Sequence, residues 1–225
     1  MRRSSRGLCF LFSAMLVLTA GCGIKDGSAP DVLRKYGLMD RPEPSRFQIC
    51  KQFGCRGTVQ VEMDPLEWNR VVEIFLPRPA DAAEERGRIA RAVALLEVMA
   101  GDLAGTSADV TMNSQAGPGQ LDCVAESVNT SVYLLMLQDR GLLTYHSVEA
   151  PQRRGTFIFY PHNTAVVREK GTPRFFAVDS WFGNNGDSPD MVPLNEWMRG
   201  WHPGDDAGTA KEAERPASTE REHGV

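Results

Sequence analysis

Hydrophobic spacing along this chain of 225 residues changes character twice. A first, unbroken apolar run, "LCFLFSAMLVLTA", follows the basic "MRRSSRG". From residue 65 the apolar positions adopt helical spacing. "PLEWNRVVEIF" (Pro65 to Phe75) opens on a proline and predicts a short helix. Between Asp81 and Gly105, Ile89, Val93, Leu96 and Met99 recur on one helical face, and Gly101 or Gly105 supplies a stop. A third helix is expected to start at Cys123 and stop at Gly141. Beyond it the period falls to two. "TFIFYPHNTAVVRE" and "PRFFAVDSWF" read as strands, and "KGTP" between them is a turn, so the pair predicts an antiparallel hairpin. "TVQVEM" (58–63) adds a short earlier strand. Helices first and strands later predict an α+β domain with a helix packed on a small antiparallel sheet.

The ends read differently. Positive residues, an apolar run too short for a membrane span, and small residues running into a cysteine in "LTAGC" (Leu18 to Cys22) form a secretory signal over residues 1–21. That ending resembles a bacterial lipobox, which implies that Cys22 carries lipid and tethers the protein to a membrane. The alternative is an ordinary cleaved signal with an incidental cysteine. Gly23, where an aspartate would mark inner-membrane retention, points to the outer membrane facing the periplasm. Residues 22–45, rich in Gly, Pro and charge, read as a linker. Residues 204–225 hold too few apolar side chains to offset their ordering entropy and read as a disordered tail. The folded domain is thus expected over residues 46–203. A net charge of −4 without a basic stripe argues against a nucleic-acid partner.

In an exported protein disulfides persist. Cys9 leaves with the signal. Cys50 and Cys55, with Gly54 between them, suggest a bridged loop or hairpin. Cys123 is then left over: either free, or paired with Cys50 or Cys55. Its position at a helix N-terminus favours a thiolate, because unpaired N–H groups and the positive dipole end point there. Asp122 beside it reads as the helix cap. His162 and Asp179 are each embedded in an apolar strand, where an unpaired polar group is costly. A hairpin lets Asp179 meet His162 and fix its tautomer. Glu126, Ser127, Asn129 and Thr130 make the Cys123 helix unusually polar for a core element, and a structural role is expected for them. Trp181 is expected in the core. No HExxH or paired CxxC occurs, so no metal is expected, and no cofactor is implied.

Cys at a helix start, His on a strand and Asp on the next strand, in that order, resemble the transglutaminase-like superfamily of papain-related folds. The resemblance spans Gly119 to Phe182. It implies Cys123 as nucleophile, His162 as base and Asp179 as the orienting acid. The Cys123 backbone N–H, and the side-chain amide of Gln120, are the expected oxyanion donors. The implied activity is acyl transfer on an amide through a thioester, as a peptidase or amidase or as a transglutaminase, on a protein or peptide of the cell envelope. Two alternatives stand beside it: a non-catalytic envelope binding or scaffold domain on the same fold, and thiol redox chemistry at Cys50 and Cys55.

Overall fold

The computed structural model describes residues 27–156 and 159–205. The signal, Cys22 and residues 206–225 of the tail lie outside the described residues.

The architecture is α+β, with two antiparallel sheets. The chain enters through α1 (Ala29–Lys35), then β1 (Phe47–Cys50) and β2 (Thr58–Val61), which pair as a hairpin with Cys50 opposite Thr58. The helices α2 (Pro65–Ile74), α3 (Ala82–Ala104) and α4 (Cys123–Asp139) follow. Next come β3 (His146–Thr156), β4 (Phe159–Glu169), β5 (Phe175–Asp179) and β6 (Asp190–Pro193), a four-stranded meander closed by the single turn α5 (Leu194–Trp197). The expected hairpin is β4–β5, with Val167 opposite Phe176.

Caps place the helix ends where the sequence puts them. The Asp81 side chain accepts from the Glu84 N–H at 2.8 Å to start α3, and Gly105, at φ 75°, ends it in the left-handed conformation that glycine adopts without strain. Helix α4 is buried continuously from Ala125 to Leu137. It therefore shows no amphipathic stripe and forms the centre of the molecule, packed against β1 and the meander.

A buried helix must pair its polar side chains. Asn129 does so with both backbone groups of Cys50, accepting from its N–H at 2.7 Å and donating to its carbonyl at 3.0 Å. Thr130 bonds the Ser180 hydroxyl at 2.9 Å. These contacts tie the Cys123 helix to β1 and to the end of β5, which is the structural role expected of them.

The linker expectation is corrected from residue 28 onward. Ser28 and Asp31 form a capping box, Pro30 sits in the first turn, and Ala29 and Leu33 are fully buried. Residues 28–45 thus belong to the domain. Average composition concealed a short capped helix docked by the buried Ala29 and Leu33.

Candidate active site

Cys50 and Cys55 are bonded to each other, and Cys123 is free and half-buried. Cys123 is the first residue of α4. Asp122 caps that helix, accepting from Ala125 N–H at 3.0 Å, and its carboxylate also accepts from Gly54 N–H at 2.9 Å. The disulfide loop is thereby fastened to the start of the Cys123 helix. Both of its sulfur-bearing residues are buried, Cys50 completely and Cys55 to 6% exposure, which leaves no open sulfur for exchange with an outside thiol.

The loop before Cys123 turns at Gly119, φ 71°, where an added Cβ would collide with the Gly105 carbonyl. Gln120 in this loop does not face the thiol. Its amide nitrogen donates to the Ala108 carbonyl at 2.8 Å, and its oxygen accepts from Asn113. The oxyanion role expected for Gln120 is therefore not supported: both ends of its amide already hold the loop together.

His162 and Asp179 meet as the hairpin predicts. The β4–β5 ladder ends at Ala165–Val178, and one further step sets Asp179 diagonal to His162, within reach of a long side chain. His162 Nε2 lies 2.6 Å from Asp179 Oδ2. A carboxylate accepts, so Nε2 carries the proton and Nδ1 is left as the lone pair. Nδ1 is buried and has no hydrogen-bond partner, and Cys123 lies near enough to act on the imidazole. Burial works to lower the His162 pKa, but Asp179 and Cys123 outweigh it and hold the imidazole above its ordinary 6.5.

Asp179, 1% exposed, is itself held by two further donors. Trp197 Nε1 donates at 2.6 Å and the Trp181 N–H at 3.3 Å. Rings surround the imidazole, with Trp181, Phe182 and Trp197 centroids at 4.8, 5.1 and 5.4 Å. Trp181 is half-buried against His162 and walls a cavity, rather than lying in the core as expected. Asn163 Nδ2 stands 3.6 Å from Cys123 Sγ. Together with the Cys123 N–H it can donate to a developing oxyanion.

Comparison with protein-family models, curated proteins and solved structures returned no match. The site therefore stands on its own geometry. Sequence reasoning missed Asn163 and Trp197. Asn163 adjoins His162, so its place beside a candidate base was a usable signal. Trp197 lies in "PLNEWMRGW", which carried no motif, and only the fold of β6 and α5 over Asp179 brings it in. Of the other histidines, His146 is buried on Glu85 and His202 lies at the rim of the His162 cavity.

Beneath the site, Glu97, Asp109 and Glu126 converge. Asp109 accepts from Leu121 N–H at 2.8 Å and shares a hydrogen bond with Glu126. Burial, opposed by hydrogen bonds from Ser180 and Gly186 and aided by Asp109 and Asp187, raises the Glu97 pKa from 4.5 to about 8. A raised folded-state pKa means the folded form holds the proton more tightly. The resulting stability is full below pH 4.5 and is lost as pH rises toward about 8. Glu97→Gln keeps the neutral form at every pH. Its unfolding free energy in urea is expected to be close to the parent's at pH 5 and to exceed it at pH 9, by on the order of a few kcal/mol.

Proposed function

We propose that this protein is an envelope-tethered acyl-transfer enzyme with a papain- or transglutaminase-like core, acting on amide bonds of proteins or peptides through Cys123. One observation carries the reading. The Asp179 carboxylate fixes the Nε2–H tautomer of a buried histidine, leaving Nδ1 bare, and a free thiol at a helix N-terminus acts on that imidazole.

In this mechanism His162 Nδ1 takes the Cys123 proton, and the thiolate attacks the amide carbonyl to form a C–S bond. Asn163 and the Cys123 N–H donate to the oxyanion. As the oxyanion collapses the C–N bond breaks, and the imidazolium gives its proton to the departing amine. Water then attacks the thioester with His162 as base, and the C–S bond breaks to release the acid and the thiol. An amine in place of water gives crosslinking. The aromatic ring wall around His162 excludes bulk water from the imidazole and favours retention of its proton until the amine leaves. The N-terminal lipid at Cys22 is the tether of this proposal.

The test is the pH dependence of iodoacetamide alkylation of Cys123. A free thiol of pKa about 8.5 is only about 0.3% thiolate at pH 6. The parent is expected to alkylate at pH 6 about a hundredfold faster than folded His162→Ala. Equal rates in the two proteins would leave Cys123 an ordinary thiol and the domain a binding scaffold.

A further inference from the structure

Two cavities are lined by neighbours of Cys123. One, about 310 Å³, is lined by Val124 and Asn163 together with Tyr36 and Lys35 from the α1 region. The other, about 660 Å³, is lined by Pro161, His162 and Trp181. The two differ in which catalytic partner they adjoin. The first holds the oxyanion donor. The second holds the group that protonates the departing amine, and the Pro161 carbonyl on its wall is 4.0 Å from Cys123 Sγ. A proton donor must touch the atom it protonates. The amine half of the substrate therefore occupies the His162 side.

The chemistry of that cavity is specific. Met112, Met198 and Trp181 give it apolar walls. Arg154 and Arg199 give it charge, with His202 at the rim, and no acidic residue lines it. Arg154 is directly opposite His162 in the β3–β4 ladder and only 7% exposed. Its guanidinium is stacked over the Trp197 ring at 4.5 Å, and Nη1 donates to the Trp197 carbonyl. Among the described residues no carboxylate lies within ion-pair distance of Arg154 or Arg199. Asp179 and Asp205 act on Arg154 from further off. Asp179 is already bonded to His162 and Trp197, and Asp205 accepts from the His202 N–H at 2.7 Å. A buried, immobilised guanidinium without a counterion is costly, and an incoming anion offsets that cost.

Resting on the acyl-transfer reading, we propose that the His162-side cavity binds the leaving amine by a carboxylate, so that the amine released is an amino acid with an apolar side chain, cleaved from the C-terminal end of a peptide. Arg154 and Arg199 hold the α-carboxylate. Met112, Met198 and Trp181 take the side chain, and the α-nitrogen lies at His162.

The probes are L-phenylalanine and L-phenylalaninamide, titrated calorimetrically into the full chain in mild detergent at pH 7. The expected result is at least tenfold tighter binding of the carboxylate than of the amide. Arg199→Gln, on an exposed side chain, is expected to reduce that preference severalfold, and Arg154→Gln to abolish it where circular dichroism shows the variant folded. N-acyl dipeptides with a free C-terminus are expected to be hydrolysed at least tenfold faster than their amides. Equal binding of the two probes, or a preference untouched by Arg199→Gln, overturns the proposal. Alkylation at pH 6 on the same samples separates the failures. An acid-reactive Cys123 without carboxylate preference removes the pocket assignment alone. An inert Cys123 removes the leaving-amine role even where the carboxylate binds.

Discussion

Asp179→Asn is expected to slow acylation of Cys123 by p-nitrophenyl acetate about a thousandfold, and its alkylation at pH 6 about a hundredfold, with the fold retained. The asparagine oxygen can still accept from His162 Nε2, so the tautomer survives. The charge that stabilises the imidazolium does not. Burial, which lowers the His162 pKa, is then opposed by Cys123 without the Asp179 charge. A thiolate without a charged partner reverts to an ordinary thiol at pH 6. The sign of the pH dependence follows. In the parent the raised His162 pKa contributes stability that is full below 6.5 and is lost as pH rises through the folded-state value. Asp179→Asn removes that slope. Urea midpoints at pH 5.5 and pH 8 check it: the parent loses more stability between the two than the variant does. An Asp179→Asn protein that acylates at the parental rate would dismiss the orienting role.

The second large effect belongs to a site far from the thiol. Glu85 on α3 is fully buried and accepts from the backbone N–H groups of Thr144, Tyr145 and His146, at 2.7, 2.9 and 2.9 Å, and from His146 Nδ1 at 2.9 Å. It gathers the start of β3 onto the long helix. Burial pushes its pKa up, but the hydrogen bonds from His146, Tyr145 and Thr144 pull harder and hold it below 4.5. Glu85→Ala leaves the buried His146 N–H, the part-buried N–H groups of Thr144 and Tyr145, and the His146 imidazole without an acceptor. The expected loss is about 4 kcal/mol, roughly 10 °C in melting temperature for a domain of this size. A depressed folded-state pKa gives stability that is present above pH 4.5 and lost as pH falls through the folded-state value. Thermal melts of the parent are expected to fall steeply in acid, and Glu85→Ala to lack that limb. A melting temperature within 2 °C of the parent at pH 7 would remove the anchoring role.

These two sites divide what was legible in the chain. Cys123, His162 and Asp179 were visible because each is the wrong chemistry for its local pattern: a thiol at a helix start, and two titratable groups inside apolar strands. The period-two runs around "KGTP" fixed the hairpin and so brought His162 to Asp179. Glu85 was invisible. On a helix it is one acidic residue among several, and nothing local marks it as the acceptor for a backbone turn some sixty residues away. Trp197 was hidden for the same reason, and Asn163 was marked only by adjoining His162. Each acts through a partner on another element, and its residue type alone is common.

The sequence by itself pointed to the elements that rest on local rules: the α+β order, the glycine stop of α3, the Asp122 cap of α4, a bridged loop at Cys50 and Cys55 and the three residues of the candidate site. Tertiary structure decided the rest. It showed that Ala29 and Leu33 bury a helix in a stretch whose average composition reads as linker. It turned Gln120 into a loop brace and put Asn163 at the thiol instead. It set Arg154 opposite His162 without a counterion. The physical reason is common to all of these. Spacing and caps are written in contiguous residues, whereas hydrogen-bond satisfaction and charge pairing depend on which distant groups the packing brings within 3 or 4 Å.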